Sequence, residues 1–160
     1  MIKIFKITCC IFLLFGTVSN GHEYSINTLR IEHPIIPIFG DTMKTAAGYM
    51  LIENNGKDSD KLLGIKAEFA KATIHETSID EKGVVRMIPL EFVTIPSGES
   101  VKFEHGGLHI MFFDLQEKLE HLGDKEVLLN FEKAGDFRLI FMVEEMDGYS
   151  NMAMDHNKDH

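Results

Sequence analysis

The chain has 160 residues, of which 44% are hydrophobic and 26% charged, and a formal charge of −9. That length fits one domain with enough apolar content to build a core without a disulfide framework. The acidic balance argues against nucleic acid and anionic membrane as partners.

The first segment, 1–21, reads as a secretory signal peptide. Lys3 and Lys6 form a basic start, an apolar stretch from Ile7 to Phe15 is too short for a comfortable membrane span, and Thr17, Ser19 and Gly21 are small residues suited to cleavage. Cleavage after Ser19 or after Gly21 fits equally well, and the second would make His22 the amino terminus. Export to the periplasm is expected, with no membrane span left in the mature chain. Cys9 and Cys10 both lie inside the apolar stretch, away from where a lipid-modified cysteine is expected. The mature chain therefore has no thiol, and soft-metal chemistry in it must rest on methionine. Removal of two lysines and no acid takes its charge to −11.

From 22 to 146 short β-like runs alternate with turn signals, and no helical periodicity or internal repeat is present. The clearest runs are 28–31, 46–53, 62–69, 72–77, 84–88, 100–104, 108–115, 126–131 and 137–144, separated by turns such as Asn54-Asn55-Gly56, Pro96-Ser97-Gly98 and Ala134-Gly135-Asp136. About nine strands at this spacing predict an all-β sandwich or barrel. Segment 116–122 is read as one helical turn or a loop. After Met146 the pattern stops, leaving 147–160 as a polar tail, expected to be flexible, that carries Met152, Met154, His156 and His160.

Two His–Met pairs carry the chemistry. His109 and Met111 are two apart in a predicted strand, so they project from one face. Taken by itself, that pair is better explained by a packed methionine and a satisfied histidine. The runs 72–77 and 84–88 flank Asp80-Glu81-Lys82-Gly83 and predict a hairpin. Centring the turn on Glu81 places His75 directly opposite Met87. Two imidazoles and two thioethers gathered at one end of a sandwich form a soft, uncharged donor set that favours Cu(I) over zinc, calcium or magnesium.

The spacing of these residues resembles that of the periplasmic copper(I) chaperones of the PCuAC type. Ten residues separate the optional methionine position, here Glu76, from Met87, and twenty-one more lead to His109-Ile110-Met111. Segments Ile31-Glu32-His33-Pro34, Ala46-Ala47-Gly48-Tyr49, Ile95-Pro96-Ser97-Gly98 and Gly106-Gly107-Leu108-His109 also resemble that family. Ile35 and Glu76 depart from its usual tryptophan and methionine. The resemblance implies a cupredoxin-like Greek-key β-sandwich that holds Cu(I) through His75, Met87, His109 and Met111. It also implies transfer to a copper-accepting protein, such as an oxidase copper domain or another copper chaperone, without catalysis. A secondary metal site is expected at Met152, Met154, His156 and His160, with Cu(II) bound through the two histidines.

Two other readings stand beside this one. Cleavage after Gly21 would let the amino group and imidazole of His22 bind Cu(II), as a copper-dependent monooxygenase requires. A structural sandwich without metal would use Met87 and Met111 as core residues. An electron-transfer cupredoxin is disfavoured because the mature chain lacks a thiolate. His33, His105 and His121 are read as surface or capping residues rather than ligands.

Overall fold

A computed structural model describes residues 22–40 and 43–146, so the expected leader and tail lie outside the described residues. Eleven strands make up these residues: β1 (Glu23–Ile26), β2 (Leu29–Ile38), β3 (Thr45–Asn54), β4 (Asp60–Ala67), β5 (Lys71–Ile79), β6 (Val85–Leu90), β7 (Val93–Ile95), β8 (Ser100–Phe103), β9 (Leu108–Phe113), β10 (Asp124–Phe131) and β11 (Gly135–Glu145).

The strands follow from alternation. In β3 every second side chain from Ala46 to Asn54 is buried, and β11 repeats this from Leu139 to Val143. One face of each strand thus enters the core while the other meets solvent or a neighbouring strand. The strands form one folded-over sheet in the order β6-β5-β9-β8-β3-β2-β11-β10-β4-β7, with β1 added beside β2. Most neighbours are antiparallel, whereas β11 returns to lie parallel to β2, so the ends of the chain's β region meet. The result is an all-β sandwich. Its core holds Phe103, Phe112, Phe131 and Phe141 among fully buried aliphatic residues such as Ile31, Ile52, Leu62 and Ile110.

The glycine at position 48 is required by packing. A Cβ there would stand 2.7 Å from Cε2 of Phe112 and 3.3 Å from both Ile110 and Phe141. Phe112 itself lies against Phe69 and Phe141, at ring separations of 5.1 and 6.1 Å. The bare backbone of β3 is what lets this aromatic group sit over it.

Two polar residues fasten the loops from inside. Asn54 is buried and donates to the carbonyls of Asp58 and Ile95, while its side-chain oxygen accepts from the Gly56 backbone N–H. The Asp60 carboxylate accepts from the backbone N–H groups of Lys61, Lys133 and Ala134. Both side chains are therefore well satisfied despite burial.

The structure differs from the sequence expectation in two places. β1 and β7 are additional short strands. β2 extends well beyond 31 to include both Pro34 and Pro37, residues that ordinarily interrupt a strand. A bulge between Glu32 and Ile35 absorbs the first proline, with His33 in the left-handed region at φ 48°. Segment 116–122 is a loop of bends and turns, the second of the two forms expected for it, and Leu119 anchors it in the core.

Candidate metal centre

The candidate ligands lie on three adjacent strands at one edge of the sheet, β6, β5 and β9. β6 is the edge strand itself, and β5 is held between it and β9. On the interior side His75 stands directly opposite His109, and Thr73 opposite Met111. The two imidazoles stack with centroids 5.9 Å apart and planes inclined by 21°. The sequence suggested two separate His–Met pairs, but the fold makes a histidine pair the centre of the cluster.

On the edge side, the predicted register of the hairpin is corrected. Met87 pairs with Thr77, and His75 pairs with Pro89. The loop is wider than a turn centred on Glu81 because Asp80 organises it. The Asp80 N–H donates to the Val84 carbonyl, and Oδ1 accepts from the N–H groups of Lys82 and Val84. Gly83 supplies the left-handed conformation that closes it, at φ 77°. The hydrogen bonds to Val84 and Lys82 and the nearby Arg86 guanidinium hold the Asp80 carboxyl below its ordinary pKa.

The correction shifts the pairing by two residues, so strand parity survives. Met87 remains on the same face as His75 and becomes its diagonal neighbour, at about 7–8 Å between backbones, within reach of a long thioether. Met111 is diagonal to His75 on the other side. His75 thus occupies the middle of a row that presents His109, Met111 and Met87 on one surface. Met87 is 56% exposed, whereas His109 is only 5% exposed.

The hydrogen bonds select which nitrogens remain available. Nδ1 of His109 lies 3.1 Å from the Gly107 carbonyl, which can only accept, so a neutral His109 carries its proton there. Its Nε2 is then a lone-pair donor, buried and without a hydrogen-bond partner among the described residues. A buried imidazole nitrogen left unpaired is costly unless something else binds it. Nδ1 of His75 lies 3.3 Å from the Thr73 hydroxyl. Burial and the neighbouring His109 push the His75 pKa below its ordinary value, opposed in part by hydrogen bonding to Thr73. Both effects favour neutral imidazole, the form that binds metals.

Thr73 and Gly107 escaped the sequence reading. Each lies two residues before a candidate histidine, a spacing that could have marked them as orienting groups. The other histidines have separate surroundings. Nδ1 of His121 accepts from the Glu145 N–H, the carbonyl of His22 accepts from the His33 N–H, and His105 occupies the turn before β9. Glu76 points to the face opposite His75. Met152, Met154, His156 and His160 lie outside the described residues. No helix among the described residues is long and apolar enough to cross a membrane.

The family model for LpqE-like lipoproteins matches residues 29–143. An apo PCuAC domain from PmoF1 is 31% identical, with a TM-score of 0.68, covering 78% of this chain and 100% of that one. A copper-bound PCuAC domain from PmoF2 is 26% identical, with a TM-score of 0.65, covering 78% of this chain and 99% of that one. The solution structure of CuI-DR1885 from Deinococcus radiodurans has the same fold at 16% identity and a TM-score of 0.57, covering 79% of this chain and 83% of that one. No curated protein matches the chain. On the family match and the likeness to the PmoF1 domain, the chain belongs to the LpqE-like family of PCuAC-type domains and has their cupredoxin-like β-sandwich.

Proposed function

We propose that this protein is a copper chaperone that binds one Cu(I) ion through His75, Met87, His109 and Met111. The observation that carries the reading is Nε2 of His109, buried and without a hydrogen-bond partner among the described residues, beside the stacked ring of His75 on the face that also bears both thioethers. Neutral imidazole and thioether together suit the soft monovalent ion. The copper-bound relative supports the choice of metal.

The division of burial suits carriage. His75 and His109 rest on strands paired on both sides, while Met87 projects from the edge strand into solvent. The metal would be held firmly from one side and approached from the other, so an acceptor's ligands could replace those of the chaperone in steps. No reaction is catalysed. The copper acceptor is a periplasmic protein such as an oxidase copper domain or another copper chaperone, reached after export through the leader 1–21. The tail 147–160 adds a weaker site, with Cu(II) bound through His156 and His160.

Competition against a chromophoric Cu(I) chelator tests the main site. One equivalent of Cu(I) should bind, with affinity reduced roughly tenfold or more in Met87→Leu and Met111→Leu and lost in His109→Ala. Unchanged affinity in both methionine variants would refute the assignment. Incubation of the loaded protein with an apo oxidase copper domain then tests delivery.

A further inference from the structure

The β5–β6 hairpin leaves an apolar edge open. Ile79, Val84, Val85, Met87 and Ile88 are five of the ten large apolar side chains exposed among the described residues, so the hairpin concentrates them. β6 ends the sheet, and no described strand pairs with its outer side.

The backbone shows which groups face outward. The Asp80 N–H donates to the Val84 carbonyl, so the hydrogen-bonded pairs that follow across the hairpin are Ser78 with Arg86, Glu76 with Ile88 and Ile74 with Leu90. The Thr77 N–H donates away from β6, to the Gly107 carbonyl, as this alternation requires. Val85 and Met87 therefore direct both N–H and C=O out of the sheet. Pro89 belongs to the same outward set, where its missing N–H costs the pairing with β5 nothing.

Charge favours a second copy of this chain as the occupant. The chain carries −9 overall, whereas segment 79–90 is neutral, its acids Asp80 and Glu81 matched by Lys82 and Arg86. Asp80 and Arg86 are themselves paired at 3.3 Å. Two acidic molecules repel least where neither presents net charge, and here the neutral segment is also the apolar one. The edge is complementary to itself as well. Antiparallel pairing about Met87 sets Met87 against Met87, Val85 against Pro89 and Val84 against Leu90, with the stem of Arg86 beside Ile88. All the outward N–H donors find carbonyls, because that of Pro89 accepts from Val85. Pairing about Arg86 would satisfy the same donors but bring two guanidinium groups face to face.

We propose that β6 pairs with β6 of a second copy across a two-fold axis at Met87, joining the two sheets into one. Six residues a side fall well short of the roughly 20–30 of a stable interface, so the dimer is weak, with a Kd of the order of tens of micromolar, and β6 is open in dilute protein. The axis has a consequence for the proposed copper site. Met87 lies on the face of His75 in each copy, and directly paired Cα atoms are about 5.5 Å apart. An ion leaving one site through Met87 thus meets the Met87 thioether of the other. The pairing is independent of copper; only this passage rests on the copper reading.

Amide hydrogen exchange of the metal-free chain without 1–21, at about 10 µM and about 1 mM, tests the pairing. Protection should rise with concentration at Val85 and Met87 and stay constant at Arg86 and Ile88, whose N–H groups already face β5. Sedimentation should show a monomer–dimer equilibrium, weakened roughly tenfold or more by Val85→Pro, which removes an outward donor, and by Val85→Lys, which keeps the backbone but charges the edge. A monomer throughout this range would overturn the proposal. So would protection at Val85 and Met87 that is independent of concentration, which would put a segment of the chain itself on the edge. Oxidation tests the axis, since the chain without 1–21 has no cysteine. Met87→Cys should cross-link pairs faster than Arg86→Cys or the equally exposed Leu122→Cys, and equal rates would overturn the axis. With pairing established, Cu(I) should pass from loaded to metal-free, isotope-labelled protein faster in the wild type than in Val85→Pro. Equal rates would overturn the passage while leaving the pairing and the main site intact.

Discussion

Gly48 has room for no side chain, because the ring of Phe112 occupies the space a methyl group would need. Gly48→Ala should therefore destabilise the fold by about 1–3 kcal/mol through overpacking. Denaturant unfolding measures this, and relief by the smaller Phe112→Leu in the double variant would identify the clash as the cause. His75 governs a different property. Its folded pKa lies below the ordinary 6.5, so the unfolded chain takes up the proton more readily. Its contribution to stability is fully present above pH 6.5 and is lost as pH falls below that value. The metal-free domain should accordingly melt at a lower temperature at pH 5 than at pH 7. Replacing His75 with Gln should flatten that slope; an identical slope in the variant would show that other groups account for it.

At the scale of elements, the β5–β6 hairpin depends on the Asp80 carboxylate. The charged form accepts two backbone hydrogen bonds and lies near Arg86, so its pKa is lowered in the fold. This contribution holds above the unfolded carboxylate pKa and disappears as pH falls through the lower folded value. Asp80→Ala should loosen the loop and raise amide exchange at Lys82 and Val84 at neutral pH, with the core strands unaffected. The same hairpin shows what could be read in advance. Parity along β5 and β9 was legible, so the face shared by His109 and Met111 follows from their spacing. The register was not, because a carboxylate accepting from two amides makes the loop wider than its turn residues alone suggest. The placement of β5 beside β9 is a long-range pairing that no local pattern encodes; only the family spacing joined the two halves of the cluster. Pro34 hid the length of β2 for a related reason, since its tolerance depends on a bulge.

Across the whole molecule, the all-β architecture was evident from alternating runs and turns, but the order in which the strands join was not, because it is set by long-range pairing. Backbone protection should be lower in β6, which is paired on one side and exposed along most of its length, than in β9, which is flanked on both sides. Hydrogen exchange that is equally slow in both strands would contradict this. The contrast gives the proposed copper site a handedness in time. A brief detachment of β6 would withdraw Met87 while His75, His109 and Met111 keep their places, leaving a three-ligand ion with one vacancy that faces solvent. Unloading would then begin with the edge strand and end with the histidines, so an acceptor that captures the ion must do so from the β6 side.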